Sequence, residues 1–152
     1  MQESGYDNNS ADSGFQKAPV SQATSEEHLG IDYLLGRGVA ENDRLAFDWL
    51  QKAADQGSMT AANELGFMYA SGKGVEQNYS LAIEWYEKAA DSGIASAKYN
   101  LGMIYALGLG TPADPAQAEQ YFSEAAALGF TPAQARSPGP MAAAKNAAKI
   151  DI

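Results

Sequence analysis

The chain has 152 residues, 45% of them hydrophobic, with no cysteine and a single histidine. That composition suits one folded domain and excludes disulfide staples, thiolate metal sites and a cysteine nucleophile. A formal net charge of −9 opposes a phosphate backbone that demands Lys and Arg, so nucleic acid and anionic membranes are poor partners.

Residues 1–21 are rich in Ser, Asn, Asp, Gly and Gln without helical period. They bury too little apolar surface to offset their ordering entropy and are expected to be flexible. Met1 is followed by polar residues, so no secretory signal is visible. The localisation left open is cytoplasmic, or a mature or excised periplasmic or secreted form. No run of 18 apolar residues is present to cross a bilayer.

From Gln22 the pattern predicts a helix running to about Leu35, ended by Gly36 and Gly38. Asn42 is then a favoured N-cap for a second helix, which carries Lys52 near its negative end and stops at Gly57. The unit then returns. Leu29-Gly30, Leu65-Gly66 and Leu101-Gly102 lie 36 residues apart, as do the pairs Gly36/Gly38, Gly72/Gly74 and Gly108/Gly110. Asn42, Asn78 and Asp114 share the cap position, and Pro115 suits the first helical position after it. A fixed period of this size means stacked supersecondary units.

The repeats run over about 22–57, 58–93 and 94–129, within a domain of 22–133. Gly30, Gly66 and Gly102 fall mid-helix, where glycine costs about 1 kcal/mol relative to alanine. A cost repeated three times points to close approach of a neighbouring helix, with Leu65, Tyr69 and Trp85 filling the space between. A fourth unit opens at Thr131-Pro132-Ala133 but breaks at Pro138-Gly139-Pro140. Residues 134–152 therefore read as a linker and an alanine-rich stretch at Met141–Ile150, either a frayed tail or, the reading preferred, a capping helix of the kind repeat arrays need at their ends.

Leu-Gly-x-x-Tyr, then Gly-x-Gly-Val, then Ala-x-x-Trp-Tyr/Leu-x-Lys-Ala-Ala-x-x-Gly resembles the Sel1-like repeat, a relative of the tetratricopeptide repeat. The middle unit matches most completely. The third departs, with Tyr121 for tryptophan and Thr111 for valine. The resemblance implies an all-α fold, an α/α superhelix of three helix-turn-helix repeats. It also implies an adaptor or scaffold, as in bacterial signalling and envelope proteins. It supplies no catalytic residues.

The residues themselves offer little to an enzyme. His28 has no cysteine or second histidine to work with, and its place beside Leu29-Gly30 matches Glu64 and Asn100, read as solvated positions. Glu84 and Asp48 stand four residues before Lys88 and Lys52, a spacing for surface ion pairs. No Gly-x-Gly loop follows a strand, so no phosphate cradle is built. No metal or other cofactor is expected.

By the resemblance, the first helix of each unit lines a concave face, and a protein or peptide partner would bind there. The candidate contacts are Glu27, Ile31, Asn63, Phe67, Tyr99, Met103 and Leu107. Ile31, Phe67 and Met103 form an apolar ladder. The ladder is either an open groove, with Phe67 solvated in the free chain, or core between adjacent first helices. Tyr99, Asn63 and Glu27 are the positions expected to be exposed. The reading is a monomeric interaction module. Alternatives are a spacer or self-associating unit of a larger envelope or polar scaffold, and, less favoured, a β-lactam-recognising enzyme, whose relatives pair cysteines that this chain lacks.

Overall fold

A computed structural model describes residues 22–132. The expectations of a flexible lead-in over 1–21 and a capping helix in 134–152 fall outside the described residues. Six helices follow in order: α1 Gln22–Leu35, α2 Asp43–Asp55, α3 Met59–Ser71, α4 Tyr79–Asp91, α5 Ala95–Leu107 and α6 Pro115–Ala127. The described residues contain no strand.

The second helices start where their caps place them. Asn42, Asn78 and Asp114 each accept from the amide three residues on, at 2.9, 3.0 and 3.1 Å. That satisfies one of the otherwise unpaired first-turn donors. The same three residues also close the loop behind them. Their own amides donate to the carbonyls of Tyr33, Tyr69 and Tyr105 at 2.9, 2.9 and 2.8 Å. The loop is thus tied to its first helix at one end and begins the second at the other. Gly72 and Gly108 end α3 and α5 with φ of 76° and 67°, a left-handed exit that other residues adopt at a cost.

Each first helix packs on its own second helix, and each second helix packs on the next first helix. First helices also touch one another, α1 with α3 and α3 with α5, whereas the second helices do not meet. A row whose members approach along one side and separate along the other must curve. The first helices therefore line the inner side.

The mid-helix glycines set the spacing within each pair. A Cβ built on Gly30 would lie 2.6 Å from Leu50, on Gly66 2.6 Å from Tyr86, and on Gly102 2.6 Å from Phe122. No side chain fits there. Tyr86, and not Trp85, fills the space against Gly66. Trp85 is only half-buried, with the Lys88 ammonium 4.3 Å from its ring centre. Leu50 and Tyr86 are wholly buried, each removing apolar surface worth about 1.5–3 kcal/mol. Leu65, Met68, Leu101 and Ile104 complete the core.

The second glycine of each loop has a different duty. A Cβ on Gly74 would collide with the Asp43 carbonyl, and one on Gly110 with the Tyr79 side chain. Asp43 and Tyr79 open the second helix of the preceding repeat, so these glycines let one unit's loop sit on the last unit's helix start. Gly38 has no preceding repeat and meets nothing within 4 Å.

Two predictions follow from this packing. Gly66→Val forces a branched side chain into the Tyr86 ring and is expected to cost about 3 kcal/mol, a fall in Tm of 10 °C or more by calorimetry. Alanine at either Gly74 or Gly38 strains a backbone with φ of +74°. Only Gly74→Ala adds the collision, so it should lower stability by about 1–3 kcal/mol more than Gly38→Ala in urea melts.

Candidate functional site

Three rows of side chains run along the inner helices at the repeat spacing. The first is Glu27, Asn63 and Tyr99, and their contacts differ. Glu27 is half-buried and accepts from the Ser58 hydroxyl, which itself caps α3 by accepting from the Ala61 amide at 3.0 Å. Asn63 is only 7% exposed, and its amide donates to Ser96 at 3.2 Å and Glu64 at 3.4 Å. Glu27 and Asn63 therefore join one repeat to the next. Tyr99 stacks obliquely on Phe122 and Phe130, with ring centres 5.2 and 5.4 Å apart.

The second row is Ile31, Phe67 and Met103. Phe67 is 6% exposed, while Ile31 and Met103 are half-buried against the same core. Phe67 therefore follows the core reading of the ladder and not the open groove, and the expectation of an exposed Asn63 is corrected. Both lie on α3, the one first helix with a first helix on each side, and its residues Ala61 to Met68 are all buried. The ladder is core at its middle rung and half-open at its ends. The third row is Leu35, Ser71 and Leu107, at the ends of the same helices. Leu35 is 46% exposed, and Ser71 and Leu107 are half-buried.

Buried polar groups on this side are partnered differently from the sequence-based expectation. Glu64, read as solvated, is 8% exposed and accepts from Asn63. Glu26 is equally buried and accepts from Gln22 and Gln56, a tie between α1 and the end of α2. His28 is open to solvent, with a 66% exposed side chain 3.9 Å from Glu27. Lys98 crosses from α5 to Glu124 on α6 at 2.8 Å. That donor, with Gln120, holds the Glu124 carboxyl below its ordinary range.

Acid and aromatic side chains of α4, α5 and α6 come together. Tyr105 and Tyr121 stack with centres 5.9 Å apart. Partial burial pushes the Glu87 carboxyl up, helped by Asp91 and Glu84. Burial likewise raises the Tyr105 and Tyr121 hydroxyls, with Glu87 contributing to both. The expected pairs Asp48–Lys52 and Glu84–Lys88 give way to another arrangement. Lys52 lies 4.7 Å from the Trp49 ring centre and Lys88 over Trp85, while Asp48 pairs with Arg44 at 3.5 Å. A lysine three residues after a tryptophan lays its stem along the ring and its charge over the face.

Comparison with known proteins turns on the repeat. The Sel1 repeat family model matches residues 24–58, 60–94 and 95–130. The chain belongs to the Sel1 repeat family. It is similar to a Sel1 repeat protein from Oxalobacter formigenes, 34% identical with a TM-score of 0.65, over 70% of this chain and 44% of that one. It is also similar to a protective antigen of uropathogenic Escherichia coli that displays an SLR fold. There the identity is 36% and the TM-score 0.68, over 81% of this chain and 25% of that protein. The chain thus spans less than half the length of either. No curated protein matches it. Sel1 repeat proteins generally mediate protein–protein interaction on a fold that is generally non-catalytic. Among the described residues of this Sel1 array, no helix is long and apolar enough to cross a membrane.

Phe67→Asp places a charge in a covered site and is expected to cost at least about 3 kcal/mol, seen as lost helical circular dichroism. Glu87 behaves oppositely. Its folded pKa lies above the unfolded value, so stability falls as pH rises through the carboxylate range and the penalty is full above it. Glu87→Gln should therefore raise Tm at pH 7 and lose that gain near pH 3.5, measured by thermal melts across pH.

Proposed function

We propose that this Sel1 array is a non-enzymatic interaction module that receives an apolar segment of a partner protein against its inner face. The supporting observation is the exposure of Leu35, 46% open one turn after the half-buried Ile31. Met103 and Leu107 make the matching pair two repeats on, with Phe67 as the buried floor between. Side chains of this kind desolvate readily, and Glu27 and Asn63 on the same helices are already hydrogen-bonded within the array. Contact with a partner then removes apolar area from water without stranding a charge. The family's general role in protein–protein interaction agrees with this reading.

The binding face named here is narrower than the one expected from the sequence. Ile31, Leu35, Met103 and Leu107 do the contacting, while Asn63 and Phe67 hold the face in shape. Tyr99 belongs to the end of the array.

Leu35→Asp and Leu107→Asp are each expected to weaken partner capture at least tenfold, a loss of about 1.4 kcal/mol, with helix content unchanged. Glu84→Lys, on an exposed position of α4, should leave capture intact. Equal capture by all three would move the binding face away from the inner helices. Sedimentation is expected to give a monomer at every concentration, and concentration-dependent assembly would favour a self-associating role.

A further inference from the structure

In the first two repeats a tryptophan of the second helix carries a cation from its own helix. Lys52 lies 4.7 Å from the Trp49 ring centre and Lys88 lies 4.3 Å from that of Trp85. The third repeat keeps a ring and loses the lysine. Tyr121 stands at the tryptophan position and Glu124 at the lysine position. The Glu124 carboxylate is held by Lys98 on α5 at 2.8 Å. The side chain that covers the ring in two repeats is thus replaced in the third by one of opposite charge, tied to another helix.

The surroundings of Tyr121 are acidic. Its ring lies nearly parallel to that of Tyr105, with 14° between the planes and 5.9 Å between centres, and both residues are half-buried. Besides burial, Glu87 and Asp91 of α4 raise the Tyr121 hydroxyl, and Glu87 with Asp114 raises that of Tyr105. Glu87 is half-buried, while Glu84 and Asp91 are exposed. These three follow one another at helical spacings of three and four and so share one side of α4. Lys88, the basic residue of that stretch, is committed to Trp85. A partly buried carboxylate among like charges is disfavoured when ionised and gains from a cation brought beside it.

We propose that Tyr105, Tyr121, Glu87 and Asp91 form a site for a basic side chain, arginine or lysine, of a partner protein. The cation lies over the Tyr121 ring as Lys88 lies over Trp85, within about 6 Å of its centre, and pairs with Glu87 and Asp91. A guanidinium uses both features, since its plane extends the stacked rings while its N–H fork meets a carboxylate. The net charge of −9 draws a basic segment toward the array. None of these four residues belongs to the apolar contact proposed above, so either site can fail without the other.

The test titrates the full chain with acetyl-Gly-Arg-Gly-amide, and with the same peptide carrying citrulline, which keeps the shape and loses the charge. Tyrosine ring and tryptophan indole signals are followed by NMR. The arginine peptide is expected to move the Tyr105 and Tyr121 signals saturably and to bind at least about threefold more tightly than its citrulline counterpart. The Trp49 and Trp85 signals should stay in place, because Lys52 and Lys88 already cover those rings. Tyr121→Leu keeps every charge and removes the ring, whereas Glu87→Gln keeps the shape and removes a charge. Each should weaken binding about threefold or more, with the fold checked by thermal melts. Glu124→Lys, at a site only half-buried, restores the lysine of the first two repeats and should close the site. Equal binding of the two peptides, or equal movement of the tryptophan signals, would overturn the proposal. So would unchanged binding in Tyr121→Leu, Glu87→Gln or Glu124→Lys, which would reduce the effect to a general attraction between a cation and an acidic surface.

Discussion

Everything in this fold depends on how closely two helices of a repeat can approach at one point. At Gly30, Gly66 and Gly102 the backbone of the first helix is bare, and Leu50, Tyr86 and Phe122 press directly onto it. A single methyl group there would hold the helices apart. The separation would spread, because the second helix of each pair is also the platform for the next first helix. The glycine penalty in helix propensity, about 1 kcal/mol each, is set against burial of a large side chain, complete for Leu50 and Tyr86 and partial for Phe122.

That constraint explains the unequal exposure of equivalent residues. The three repeats offer nearly the same side chains to their neighbours, yet among the described helices only α3 has a first helix on each side. Phe67 is covered, while Ile31 and Met103 keep part of their surface in water. Burial in a repeat protein thus follows position in the row as well as residue type. The same logic makes the inner face apolar at its two ends and leaves the rings of Tyr99, Phe122 and Phe130 grouped at the last repeat.

The helices, their caps and the turns were legible because each rests on local chemistry. Asn42, Asn78 and Asp114 need only the amides three residues on, and glycine after a helix needs no distant partner. The mid-helix glycines announced a close contact, but not what filled it. Trp85 and Tyr86 are adjacent, and periodicity alone does not say which of them turns inward. Glu64 looked solvated because carboxylates usually are, and its burial depends on Asn63 beside it and on the repeats to either side. The second glycine of each loop was read as part of a helix exit. Its contact with the preceding repeat joins residues about 31 apart, which no local pattern displays. The candidate site suffered most from this, since its openness is decided wholly by neighbours.

The loop glycines carry a consequence for how the molecule responds to load. Gly74 and Gly110 rest on Asp43 and Tyr79 of the previous unit, and the described helices meet no element further away than the next first helix. Among the described residues nothing reaches across the whole row. Force applied to the two ends is therefore passed along in series, through each loop contact in turn, with no long-range clasp to share it. Under tension the row should yield one repeat at a time from its ends inward, with α3 the last to let go.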